Sequence, residues 1–316
     1  MEARKLPKRE LAGFLEMLKG KSELIAPIQK GSLRFSKVED VGQVVISGHP
    51  LFSLKMFYFP PKRKLFSYKG TNITEEPLPK KKLIIFGARL CDINAILRTD
   101  HLFSGEFADP YYENAKKNIT LIGINCETVP KPDQCFCSSQ GLEHRGYDLF
   151  FCDNGGDDFD IVVGTDKGRE LVKHLPETDA TPKPIDTPKK LYKKDISAYY
   201  NHPDWKKEAD KCISCGACTN LCATCMCYDI FDDPDLDMES GSRNLQWDSC
   251  QYTDFTKVAG NHVFRDTREA RLKHRIYHKL KYFPDKFGVS MCTGCGRCIE
   301  GCPTGIDFVK TLNNMK

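Results

Sequence analysis

Along the first half of the chain, short apolar runs alternate with turn residues. Residues 8–19 carry Leu11, Phe14, Leu15 and Leu18 at helical spacing, and Gly20 is placed to end the helix. Residues 23–28, 33–35, 44–47 and 64–68 then read as strands. Residues 82–86, Lys-Leu-Ile-Ile-Phe, form a β run closed by Gly87, and a helix starting near Asp92 carries Ile93, Ile96 and Leu97. Residues 118–124 and 159–163 are two more apolar strands, and 167–174 reads as a helix. Strands interleaved with helices predict an α/β domain over residues 1–175 with a mostly parallel or mixed sheet.

The pattern changes after residue 175. Residues 175–190 hold four prolines and few apolar groups, which predicts a proline-rich linker over 176–194. From about residue 195 the periodicity is helical. Asp266 and Glu269 have the spacing of a capping box in front of a helix over 271–283. Leu272, Ile276, Leu280 and Phe283 line one face of it. Arg271, Lys273, His274, Arg275, Lys279 and Lys281 make the other face basic, and Pro284 ends the helix. That basic face reads as solvated surface; the alternatives are docking to an acidic partner or a field acting on a redox centre.

Composition narrows the class. A chain of 316 residues, 40% hydrophobic and 28% charged, is long enough for two globular domains. A net charge of +4 gives no electrostatic case for nucleic acid. The basic runs at 61–64, 80–82 and 189–194 read as solvated surface or as contacts for an acidic partner. Residues 1–10 are charged and do not look like a signal peptide, and no apolar run reaches membrane-spanning length. The expected setting is therefore cytoplasmic and reducing, where sixteen cysteines point to metal rather than disulfides. So many thiolates also favour an anaerobic or low-oxygen cell.

The cysteines fall into a pattern. Cys292, Cys295, Cys298 and Cys302, followed by Pro303, form C-x₂-C-x₂-C-x₃-C-P, and Cys212, Cys215, Cys218 and Cys222 repeat the spacing. In such a run three thiolates hold one [4Fe-4S] cluster and the fourth reaches a second. The expected ligands of cluster one are thus Cys212, Cys215, Cys218 and Cys302, and those of cluster two are Cys292, Cys295, Cys298 and Cys222. Zinc in a non-redox protein is the alternative, although zinc sites usually take cysteines in pairs. About seventy residues separate the runs. That favours an α-helical dicluster ferredoxin domain over 195–316 rather than the compact β type.

Eight cysteines remain. Cys91, Cys126 and the pair Cys135 and Cys137 follow predicted strands, and strand ends on one edge of an α/β sheet collect ligands. Those four thiols read as a third iron–sulfur centre, a zinc site or ordinary structural thiols. Cys152, beside Phe150 and Phe151, reads as a buried thiol. Cys225, Cys227 and Cys250 read as groups packed beside a cluster that tune it; a separate metal site with His262 is the weaker alternative. No G-x-G-x-x-G follows a strand, and no Walker loop or G-x-S-x-G elbow is present. No flavin and no NAD is therefore expected on this chain. Clusters without a hydride acceptor make a wire, and a wire needs partner subunits.

Several of these segments together resemble one family: Phe86-Gly-Ala-Arg-Leu-Cys91, Cys126 through Cys135-Phe-Cys137, Cys212-Ile-Ser-Cys-Gly-Ala-Cys218, Cys222-Ala-Thr-Cys-Met-Cys227, Trp247-Asp-Ser-Cys250 and Ala259-Gly-Asn-His262. The chain resembles the iron–sulfur electron-transfer subunit of anaerobic sulfite reductase and the related beta subunit of sulfhydrogenases, over nearly its whole length. The resemblance implies an electron relay that links two partners. One is a flavin-bearing, NAD(P)H-oxidising subunit; the other is catalytic. The catalytic partner carries siroheme in sulfite reductase, the first expectation. The alternatives are a nickel–iron hydrogenase pair or a heterodisulfide-reductase-type assembly. The resemblance also strengthens the case for a third centre at Cys91, Cys126, Cys135 and Cys137. Ala223 stands where the family has proline, which puts the rigidity of that turn in question.

Overall fold

A computed structural model describes the whole chain, residues 1–316. Its strands in chain order are β1 (Glu2–Pro7), β2 (Glu23–Lys30), β3 (Ser32–Lys37), β4 (Lys62–Lys69), β5 (Asn72–Glu75), β6 (Leu83–Ala88), β7 (Ile119–Ile124), β8 (Leu149–Asp153), β9 (Asp158–Val163), β10 (Glu177–Asp179), β11 (Tyr228–Pro234) and β12 (Ser240–Trp247). Eight of them form a mixed sheet in the order β10-β1-β9-β8-β7-β6-β2-β3. Its centre, β2-β6-β7-β8, is parallel, and antiparallel strands close both flanks.

The central strands are apolar on both faces. In β6, Ile84 and Phe86 enter one core while Ile85 and Ala88 enter the other; β7 splits Ile122 and Ile124 from Ile119 and Leu121 in the same way. Helices cover both faces, as parallel strands require. Leu11–Lys21 and Asp166–Val172 pack on the first through Phe14, Leu15, Leu18 and Val172. Leu90–Phe103 and Pro110–Asn118 pack on the second through Ile93 and Tyr112. The strand expected at 44–47 does not form. Asp40 accepts the Gly42 N–H at 2.9 Å and starts a 3₁₀ turn, after which Val44 makes a lone bridge to Ile28.

A second sheet, β11-β12-β4-β5, pairs strands from either side of the 176–194 segment. That segment is therefore a crossing between halves that share a sheet. It begins as β10 on the edge of the large sheet, stays with the N-terminal half where Thr187 is buried against Ser138, and then reaches the C-terminal half, where Lys189 pairs with Asp307.

Past residue 195 the chain is not wholly helical, because the β11–β12 hairpin occupies 228–247. Helices flank the cysteine runs. Arg268–Tyr277, a π turn at His278–Tyr282 and Phe283–Phe287 form one continuous run. Its cap is Thr267, not Asp266: the Thr267 hydroxyl accepts the Ala270 N–H at 3.1 Å. Pro284 does not end it. Proline has no N–H to donate back, the helix widens to a π turn just before it, and Gly288 at φ 72° makes the stop. Trp205, Ile276, Tyr277, Phe308, Val309 and Leu312 form the C-terminal core, which Phe136 from the N-terminal half enters. No helix is long and apolar enough to cross a membrane.

Candidate metal centres

The two cysteine runs adopt the same backbone. Each turns through a left-handed residue two places after its first cysteine, Ser214 at φ 56° and Gly294 at φ 69°. Each turns again at a glycine, Gly216 at φ 73° and Gly296 at φ 77°, and then enters a one-turn helix, Ala217–Asn220 or Arg297–Glu300. The fourth cysteines match too. The Cys222 N–H donates to Thr219 and the Cys302 N–H to Ile299, both at 3.3 Å. The two sulfurs each lie 3.5 Å from a threonine hydroxyl two residues on, Thr224 and Thr304. Ala223 thus makes the same turn as Pro303. It is buried and lines a cavity with Leu54 and Tyr58.

This backbone brings the sulfurs to two adjoining cavities. Cys212, Cys215, Cys218 and Cys302 line the first, closed by Leu272, Ile276 and Phe308. Cys222, Cys292, Cys295 and Cys298 line the second, closed by Phe136, Lys279 and Phe308. Cys298, Arg275 and Phe308 border both. Backbone amides point at sulfur as they would at thiolate ligands: Ser214 N–H to Cys212 Sγ at 3.4 Å and Ile306 N–H to Cys302 Sγ at 3.3 Å. A single zinc ion needs four sulfurs about 3.8 Å apart, given Zn–S bonds of about 2.3 Å in a tetrahedron. No three of these cysteines approach within 4.8 Å of one another.

A cubane held by four thiolates is a buried anion and needs compensating charge. The helical run from Arg268 to Phe287 carries cations that could supply it. Arg271, Arg275 and Lys279 recur at i, i+4 and i+8, and all three are buried. The Arg275 guanidinium donates to the Cys218 carbonyl at 2.8 Å, and the Lys279 amine to the Thr224 hydroxyl at 2.7 Å. Burial works against both charges. The surrounding sulfurs, Cys218 and Cys298 for Arg275, and Cys222 and Cys225 for Lys279, outweigh it and hold both pKa values up. Two residues of the face read as solvated surface, Arg275 and Lys279, therefore look into the cavities, while the Arg271 guanidinium donates to the Arg265 and Asp266 carbonyls. Lys273 and Lys281 line neither cavity and pair with Glu269 and Asp285.

The N-terminal cysteines gather at the carboxyl ends of β6 and β7. Cys91 opens the helix after β6, Cys126 follows β7, and Cys135 and Cys137 lie in the loop beyond. Burial pushes all four thiols up, Cys135 to about 12 and Cys137 to about 11. For Cys135 and Cys137 the neighbours that add to this are other members of the set and Cys295, which places them in one locale. His49 Nε2 stands 3.6 Å from Cys91 Sγ. His49, Cys91 and Asp92 are close enough for one ion, but Asp92 is taken: both its oxygens accept from Arg297, at 2.6 and 2.9 Å, with neither side chain exposed.

The other cysteines divide. The neighbouring Cys225 thiol helps hold the Cys222 pKa well below the ordinary thiol value. Cys227 does the same for Cys250, bringing it to about 6. Cys152 is buried in β8, where burial raises its thiol to about 11. His262 is exposed and rests on Phe264, away from these thiols, so the metal site with Cys225, Cys227, Cys250 and His262 does not assemble. Sequence reasoning missed Lys55, Arg98 and Arg297. The buried Lys55 amine donates to the carbonyls of Thr219 at 3.3 Å and Cys225 at 3.1 Å, and lies 3.8 Å over the Trp247 ring. Only Arg297 carried a signal, its place between Cys295 and Cys298 of the second run.

Comparison with known proteins agrees with this geometry. Residues 211–306 match the family model of the 4Fe-4S dicluster domain. The chain is 32% identical to sulfhydrogenase 2 subunit beta of Pyrococcus furiosus, over 96% of this chain and 95% of that one. No solved structure matches.

Proposed function

Because the chain belongs to the sulfhydrogenase beta-subunit family of iron–sulfur proteins, we propose that it is the electron-transfer subunit of a multisubunit, sulfhydrogenase-type oxidoreductase. The observation that carries this reading is the pair of adjoining cavities, each lined by three cysteines of one run and the fourth of the other. In this proposal Cys212, Cys215, Cys218 and Cys302 hold cluster one, and Cys222, Cys292, Cys295 and Cys298 hold cluster two. Cys91, Cys126, Cys135 and Cys137 hold a third iron–sulfur centre. When bound, the clusters supply one-electron carriers. The protein's share is to hold the thiolates, exclude water with Leu272, Ile276, Phe136 and Phe308, and set Arg275 and Lys279 beside the anionic cores. The short helices around each run, rather than the hairpin, form the clamp.

No hydride-accepting cofactor is assigned to this chain, so electrons come from a flavin-bearing, NAD(P)H-oxidising partner. Cys215, the one exposed cysteine of the sixteen, makes cluster one the centre nearest a partner. We place a hydrogenase first as the terminal, catalytic partner, since the matched relative is a sulfhydrogenase subunit. A siroheme sulfite reductase, put first from sequence alone, becomes the second reading and rests on the motif resemblance. Co-purification of the native complex with metal analysis and an absorbance scan decides between them. Nickel without siroheme is the expected result; siroheme without nickel would reverse the order, and a chain isolated without partners or iron would defeat both readings.

A further inference from the structure

The loop holding Cys292 and Cys295 lies directly on the loop holding Cys135 and Cys137. The Phe136 N–H donates to the Gly294 carbonyl at 2.9 Å, and Cys135 Sγ stands 3.8 Å from the Cys295 carbonyl oxygen. A Cβ on Gly294 would come within 2.6 Å of the Cys137 Cα, and one on Gly296 within 2.7 Å of the Gln134 carbonyl. Both positions also have positive φ, so glycine is needed twice over for the two backbones to meet this closely. Clamps hold the loops on both sides. Arg98 donates to the carbonyls of Cys292 and Gln140. The buried Asp92–Arg297 pair joins the neighbour of Cys91 to the residue before Cys298. The first run meets the N-terminal half through a different element, the Lys55 amine on the Thr219 and Cys225 carbonyls. Its cavity adjoins that of cluster two, with Cys298 bordering both.

We propose that the three centres form one line: the N-terminal centre, then cluster two, then cluster one, with Cys135 and Cys295 as the joint between the first pair. Cluster two is then the obligatory middle. The path across the joint runs from Cys135 Sγ to the Cys295 carbonyl and along that residue to its own sulfur. Each step moves one electron, oxidising one centre and reducing the next, with no bond made or broken. Cys295 belongs to the joint as a ligand of cluster two, and the Asp92–Arg297 pair acts as a positioning pair. The line rests on the reading that the N-terminal cysteines hold an iron–sulfur centre.

The test uses the full-length chain, reconstituted anaerobically and reduced with dithionite. Iron and sulfide analysis comes first: about twelve irons correspond to three cubanes and about eight to two. Eight irons would remove the N-terminal centre, and the line with it. With twelve, low-temperature EPR should show the N-terminal signal split by magnetic interaction with its neighbour. Cys292→Ala should abolish the splitting, whereas Cys215→Ala, which acts on cluster one, should leave it. Twelve irons with no splitting, or splitting lost in Cys215→Ala and kept in Cys292→Ala, would overturn the order while leaving the third centre standing. Should Cys292→Ala not fold, Cys126→Ala approaches the joint from the sheet side. It should leave cluster two coupled to cluster one alone, and an unchanged cluster two spectrum with the N-terminal centre gone would count against the line.

Discussion

Arg297 and Asp92 show how much one residue pair decides. They are 205 residues apart, fully buried, and joined by two hydrogen bonds. Arg297 also donates to the Pro50 carbonyl at 2.8 Å. Removing one partner leaves the other charge without compensation where water cannot reach, which typically costs about 3–5 kcal/mol. Asp92→Ala should therefore destabilise the loaded chain by about that amount in denaturant melts, and a change below about 1 kcal/mol would contradict the pairing. His274 gives a pH dependence. Burial, then Arg265 and His278, lower its pKa from 6.5 to about 4 in the folded chain. Between those values the unfolded chain binds the proton and the folded chain does not, so stability rises with pH across the window and is lost as pH falls toward 4. His274→Gln should flatten the fall in Tm between pH 7 and pH 4.5 relative to the parent chain at equal iron content.

At the scale of elements, the helical run from Arg268 to Phe287 matters most, because it carries the cations that face the cavities. Its start depends on the Thr267 cap, so Thr267→Ala should cost about 1 kcal/mol in thermal or denaturant unfolding. Asp266→Ala should cost less, since its carbonyl, not its carboxylate, is the group that Arg271 uses. Legibility in the sequence followed burial. Strands β6 and β7 are buried on both faces and read as unbroken apolar runs, and the helix Leu11–Lys21 shows its apolar stripe. Strand β1 did not read as a strand, because Arg4 interrupts it and is buried only through pairing with Glu2 and Glu177. Strand β12 buries Gly241, Asn244 and Leu245, which is no alternation, and a bulge at Arg243/Asn244 shifts its register. Local spacing named the eight run cysteines. It did not show that Arg275 and Lys279 turn inward, since a cation facing a buried anion and one facing water look alike along the chain.

For the whole molecule, the sequence marks a break at 176–194, but long-range pairing ties the halves together. β4 pairs with β12 across that segment, Phe136 enters the C-terminal core, and the Asp92–Arg297 pair joins the two sides. Proteolytic nicking within residues 181–188 should therefore leave the fragments associated. They should co-elute on size exclusion at the position of the uncut chain, and separation without denaturant would show that the linker alone holds the halves together. The prolines of that stretch are local and visible in sequence, whereas the strand partners stand more than 150 residues apart and are not.

The central claim is that three thiolates of one run and the fourth of the other grip each iron–sulfur cubane, and that these cubanes carry electrons. Iron, zinc and acid-labile sulfide analysis of the anaerobically reconstituted chain, followed by dithionite reduction under EPR, tests it most directly. The account predicts at least about eight irons with matching sulfide per chain, no stoichiometric zinc, and signals from reduced [4Fe-4S] clusters. A colourless protein holding zinc and no sulfide would contradict it.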